Sequence, residues 1–109
     1  MILFRPKEDL PAADRAALVD AMRAAHRAIP QIRRFIAGSR LISGRAYDAS
    51  ARDFPYFAML EFDSSADLAA YLAHPAHERL GRLFYQTSES AEAYDFESGD
   101  VPGALDALR

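Results

Sequence analysis

Tyr56-Phe57-Ala58-Met59-Leu60-Glu61-Phe62 is the clearest strand in this chain of 109 residues. Side chains alternate across a strand, so Phe57 and Met59 share one face, and Tyr56, Ala58, Leu60 and Phe62 share the other. Both sets are apolar. A strand that is apolar on both faces must be covered on both faces, so helices on one side of its sheet are not enough.

The residues that follow supply those helices. Ser64-Ser65-Ala66-Asp67 opens a helix with a serine cap and a carboxylate three positions on. Leu68, Tyr71 and Leu72 form its apolar stripe. Proline disfavours the α conformation in the residue before it and is at home in the first helical position. The run Tyr71-Leu72-Ala73-His74-Pro75-Ala76-His77 therefore predicts a helix ending at His74 and a new one starting at Pro75. Leu80, Leu83 and Phe84 continue the second stripe, and Glu78 and Arg82 are spaced to pair. Thr87 to Ser90 reads as a turn and Ala91 to Phe96 as a last strand.

Upstream, Met1 to Arg5 reads as a first strand. Leu18, Met22, Ala25 and Ile29 recur at helical spacing until Pro30 ends the pattern. Gln31 to Ser43 leads into a second strand, and Gly44 to Pro55 reads as a polar loop, long enough to cover a site. The order is β-α-β-β-α-β with the second helix broken in two. This is the ferredoxin-like α+β arrangement with an antiparallel sheet. Its helices cover one face only, so the apolar second face of Tyr56–Phe62 predicts a homodimer with sheets packed face to face, a dimeric α/β barrel. The domain is expected over residues 1–97, with 98–109 as a tail.

Composition narrows the function classes. Thirteen basic residues stand against 16 acidic ones, for a net charge of −3, so no nucleic-acid partner is expected. Without cysteine there is no disulfide framework or thiol nucleophile. No apolar run approaches a membrane span and no signal peptide is visible, which predicts a cytoplasmic protein with no membrane partner. No phosphate-binding glycine loop, Ser-His-Asp order or nucleotide fingerprint occurs. No cofactor and no metal are expected.

Together these segments resemble the stress-responsive A/B barrel domain family. The resemblance is carried by Ile2-Leu3-Phe4-Arg5, Ile29-Pro30, Leu60-Glu61-Phe62-Asp63-Ser64, Tyr71 through His77, and Asp95-Phe96. It implies a dimeric α+β barrel. Some plant members are cofactor-free polyketide cyclases, in which a tyrosine and a histidine matching Tyr71 and His77 line an apolar pocket. Many members also carry a histidine just before the Ile-Leu-Phe segment, which has no counterpart in this sequence. That weighs against any activity needing it.

Tyr71 and His77 are thus the candidate catalytic pair. An imidazole titrates near working pH and suits a general base, and a tyrosine hydroxyl can donate to a developing enolate. The bland alternative is a core tyrosine beside a histidine that holds the corner. His74 is read chiefly as a cap, and less readily as a ligand-binding group. Phe57, Met59, Leu72 and Phe84 are expected to shape an apolar pocket. His26 reads as a surface residue. Arg33-Arg34 and Arg79/Arg82 read as solvated or paired charges before anion ligands, and Tyr47, Phe54 and Tyr56 as packing residues before a lid. Three functions follow: a small-molecule binder with cyclase, lyase or isomerase chemistry on an apolar carbonyl compound; a non-catalytic stress-linked dimer; or a cofactor-independent oxygenase.

Overall fold

The computed structural model describes residues 1–100 and 103–109. Of the expected tail, Pro102 lies outside the described residues. The elements are β1 (Ile2–Pro6), α1 (Ala12–Ala28), β2 (Arg34–Ser39), α2 (Ala46–Ser50), β3 (Tyr56–Glu61), α3 (Ser65–Ala73), α4 (Pro75–Thr87) and β4 (Ser88–Ala93), followed by a 3₁₀ turn over Gly103–Leu108. The strands form one antiparallel sheet in the order β2-β3-β1-β4. Each helical crossover skips one strand position, which the other half of the chain fills. This is the ferredoxin-like α+β topology read from the sequence.

The helices lie on one face of the sheet. Leu18, Ala21, Ala25 and Ile29 of the first helical segment meet Leu80 and Phe84 of α4 over Phe4 and Ala58 of the sheet, and all are buried. Phe4 joins the layers: its ring stacks on Tyr56 at 5.7 Å and meets Phe84 edge-on at 5.0 Å. Aromatic pairs at these separations favour such offset and edge-to-face geometries.

The opposite face follows from the register. Leu3 pairs with Phe57, Gly38 with Phe57 on its other side, and Ile36 with Met59. Directly opposed residues share a face, so Leu3, Ile36, Phe57 and Met59 form an apolar patch facing away from the helices. Gly38 is there for Phe57: a Cβ on Gly38 would lie 2.8 Å from the Phe57 ring.

The helix break is where the sequence places it. His74 ends α3 and caps α4 with an extended backbone (φ −75°, ψ 138°), and Pro75 is the first residue of α4. Ser64 caps α3, its hydroxyl accepting from the Asp67 N–H at 3.1 Å.

Two expected segments are corrected. The supposed turn at Thr87–Ser90 does not exist: α4 runs through Thr87, β4 begins at Ser88, and the last strand sits three residues earlier than Ala91–Phe96. β4 is an edge strand of sequence Ser-Glu-Ser-Ala-Glu-Ala, whose polar residues hide it from a hydrophobic pattern. The expected loop Gly44–Pro55 contains α2, only five residues long. Its Asp48 carboxylate accepts from the N–H groups of Ser43 and Arg45 at 3.1 and 2.8 Å. The Arg45 bond, the largest effect, holds the Asp48 pKa below its ordinary value.

Candidate functional site

Tyr71 comes from the last turns of α3 and His77 from the first turn of α4, so the His74–Pro75 corner brings them together. Their ring centroids are 4.6 Å apart at an interplanar angle of 57°. Tyr71 is buried, and Phe62 packs on it at 5.1 Å. Among the described residues no protein group accepts a hydrogen bond from the Tyr71 hydroxyl. Burial first, and then the negative charge of Asp95, push its pKa up to about 12. At any ordinary pH the phenol keeps its proton and is a donor.

His77 is half-buried, and its Nδ1 lies 3.1 Å from the Leu72 carbonyl oxygen. A carbonyl can only accept, so Nδ1 carries the proton and donates. In the neutral ring the lone pair is then on Nε2. The bond crosses the corner from α4 to the last turn of α3. It orients the imidazole while stapling the two helices.

His74 is committed to structure: its Nδ1 accepts from the Ala76 N–H at 3.0 Å. Phe84 belongs to the helix-side core with Tyr71. Three expected pocket residues are displaced. Phe57 and Met59 lie on the open face of the sheet, opposite Tyr71, because their parity is opposite to that of buried Ala58. Leu72 is 48% exposed, since one helical step beyond Tyr71 turns it outward; its carbonyl, not its side chain, serves the site. These four residues therefore do not line one pocket with His74.

Two open clefts mark the surface. One, of about 400 Å³, lies between Lys7–Pro11, Asp14 and Gln86. The other, of about 420 Å³, lies between Arg52–Phe54 and Ser90–Glu92. Neither is lined by Tyr71 or His77. The two rings instead pack on each other.

Most of the remaining candidates have local partners or positions. Arg33, Arg34 and Arg82 pair with Asp63, Glu61 and Glu78. His26 is exposed against Phe35. Tyr56 stacks on Phe4 and Phe54 lines the second cleft, whereas Tyr47 is exposed. The sequence reading gave no role to Asp95. The signal for it is the register: Tyr94 exchanges backbone hydrogen bonds with Met1, extending the β1–β4 pairing to the threshold of Asp95.

An antiparallel ferredoxin-like sheet, helices on one face and a Tyr–His pair at a proline corner define a barrel-forming α+β domain. The chain belongs to the stress-responsive A/B barrel domain family, whose model matches residues 1–98. Among solved structures it is similar to the Arabidopsis thaliana protein At3g17210, with 18% identity and a TM-score of 0.76 over 92% of this chain and 93% of that one. A dimeric ferredoxin-like protein of unknown function from Jannaschia aligns at 19% identity and TM-score 0.71, covering 89% of this chain and 94% of that one. The hydroxynitrile lyase of Passiflora edulis aligns at 19% identity and TM-score 0.71, covering 84% and 82%. At these identities the likeness is one of fold. No curated protein matches the sequence. Among the described residues no helix is long and apolar enough to cross a membrane.

Proposed function

We propose that this protein is a homodimer that binds a small apolar or aromatic carbonyl compound and acts on it without a cofactor, by acid–base chemistry at Tyr71 and His77. The dimer covers the apolar patch of Leu3, Ile36, Phe57 and Met59 with a second copy of itself. A dimeric protein of the same fold from Jannaschia supports this reading.

One observation carries the chemistry: His77 spends Nδ1 on the Leu72 carbonyl, 3.1 Å away, beside a tyrosine whose pKa is pushed up to about 12. The neutral imidazole then offers Nε2 as the base, and the phenol offers its proton as a hydrogen-bond donor. In this reading Nε2 removes a proton from carbon next to the carbonyl. The Tyr71 hydroxyl donates to the oxygen as negative charge develops there. In a ring closure the enolate carbon bonds to a second carbonyl carbon, whose oxygen takes the proton from Nε2; in an isomerisation a different carbon takes that proton; in a lyase step the group expelled from the neighbouring carbon carries it away. The Passiflora edulis protein is a lyase on the same fold, which supports the last of these. Substrate reaches the pair by parting the two rings at the corner.

The test is exchange of carbon-bound hydrogen for deuterium in a set of aromatic ketones in heavy water, followed by proton NMR. The wild type exchanges the protons next to the carbonyl faster than buffer, and Tyr71→Phe and His77→Gln each slow this by about 10²–10⁴-fold. Exchange no faster than buffer contradicts the reading.

A second reading, a non-catalytic dimer of the same family, is favoured by the contact between the rings and by the position of both clefts away from them. In it Tyr71 fills the core and His77 only staples the corner. Unchanged exchange rates in both variants would select it.

A further inference from the structure

Gly81 lies in the middle of α4, exposed, with a helical rather than a left-handed backbone. Glycine weakens a helix interior relative to alanine. Close approach of a neighbour would justify it, yet a Cβ built on Gly81 would meet nothing within 4 Å. The face-to-face dimer proposed above does not fill that space either, because α4 lies on the helix side of the sheet and the apolar patch on the other. Neither backbone angle nor packing among the described residues calls for glycine here.

Its place beside the candidate site does. Gly81 is one turn beyond His77, and residues four apart share a helix face. A helical side chain leans toward the N-terminus, so a side chain at position 81 would cover the turn that carries His77. On its other sides His77 is hemmed in. Tyr71 packs on the imidazole at 4.6 Å, Leu80 and Phe84 toward the core are buried, and Nδ1 is spent on the Leu72 carbonyl. The flank over Gly81 is the one where α4 lays no side chain against the imidazole.

One turn further on stands Tyr85, 87% exposed. By the same lean its side chain turns back toward Gly81. Imidazole, gap and phenol thus succeed one another along one flank, and the gap has an aromatic ring at each end. A flat ring resting on the helix backbone there has two aromatic neighbours to pack against. Glu78 and Arg82, on the adjoining strip, pair with each other, so the flank suits a neutral aromatic compound better than an ion.

We propose that Gly81 is the threshold of the site: an aromatic substrate enters across its bare backbone, between Tyr85 and His77, and parts the rings from that side. The inference rests on the acid–base site proposed above and names the residue that decides what reaches Nε2. Gly81 shapes the passage and takes no part in proton transfer.

The test uses the full-length protein with Gly81→Ala and Gly81→Leu. Diethyl pyrocarbonate, a small electrophile that acylates neutral imidazole nitrogen, is read at each histidine by peptide mass spectrometry, with exposed His26 as internal reference. Gly81→Leu should slow modification of His77 by about tenfold or more, the rate change of a barrier raised by about 1.4 kcal/mol, and leave His26 unchanged. Gly81→Ala should slow it less. Both variants should hold or raise Tm, since alanine and leucine favour a helix over glycine, so the loss is not one of folding. Ketone exchange should fall in Gly81→Leu in parallel. A His77 that reacts as fast in Gly81→Leu as in the wild type, or is inert to the reagent in the wild type, overturns the threshold. A lower Tm in either variant means that the space is occupied, and also overturns it. Ketone exchange that Gly81→Leu leaves untouched overturns it too, with the acid–base reading left standing. No ketone exchange in the wild type overturns that reading, and the inference with it.

Discussion

Tyr71 and His77 touch across a helix break, with ring centroids 4.6 Å apart, and the imidazole is fixed by a bond to the carbonyl of Leu72, the residue after that tyrosine. The corner therefore does two things at once. Pro75 forces His74 into an extended conformation, and the change of direction puts the first turn of α4 beside the last turn of α3.

The Tyr71 phenol should titrate late. Its pKa is about 12 in the folded protein against an ordinary 10.0. A raised pKa favours folding while the group is protonated in both states. That contribution is full below pH 10 and is lost as pH rises toward 12, where the unfolded chain ionises first. Ultraviolet titration of tyrosinate should show a late component that Tyr71→Phe removes, and denaturant midpoints should fall more steeply above pH 10 in the wild type than in that variant.

His77→Ala should loosen the corner by about 1 kcal/mol, the ordinary net worth of one hydrogen bond. Urea unfolding measures this. His77→Asn, which can still offer an N–H toward the Leu72 carbonyl, should recover part of the stability but none of the base. A stability loss restored by asparagine together with an activity that is not restored separates the staple from the chemistry.

Gly38→Ala should disturb the open face and spare the helix side. The new Cβ would lie 2.8 Å from the Phe57 ring, and overpacking of this kind costs about 1–3 kcal/mol. The ring must move within the patch that a second copy covers. Sedimentation should show weakened self-association while circular dichroism keeps its helical signal. Unchanged self-association would mean that Phe57 is not at the interface.

Phe84→Ala should be the most damaging of these changes. Phe84 is buried and meets Phe4 edge-on at 5.0 Å, joining helix layer to sheet. Removing a buried phenylalanine costs about 3–5 kcal/mol. Calorimetry should find a large fall in Tm.

Much of this was legible in the residues. Pro75 and the Ser64 cap marked both ends of α3, and Tyr56–Phe62 announced a sheet needing cover on two sides. What escaped had weak or misleading signals. β4 is polar and follows α4 with no breaker between them, so the more apolar Ala91–Phe96 drew the strand downstream. α2 is too short to show a period and is held by the Asp48 carboxylate rather than by packing. The site itself was half legible. Corner geometry joined Tyr71 to His77, but grouping Phe57 and Met59 with them ignored the strand parity that puts Ala58 in the core and its neighbours outside. Leu72 was misplaced because its stripe includes a residue one step too far round the helix. The role of Asp95 depends on pairing between chain ends that local pattern does not express.

The most direct test of the central claim is nitrogen NMR of the imidazoles, labelled at histidine, during titration with an aromatic ketone. With only three histidines in the chain, single substitutions assign them. The account predicts that His77 is protonated on Nδ1 and bonded there throughout, and that its Nε2 resonance shifts on ketone addition, with the shift lost in Tyr71→Phe. If His77 Nε2 stays unmoved at saturating ketone while the corner bond persists, the pair holds the fold together and does no chemistry.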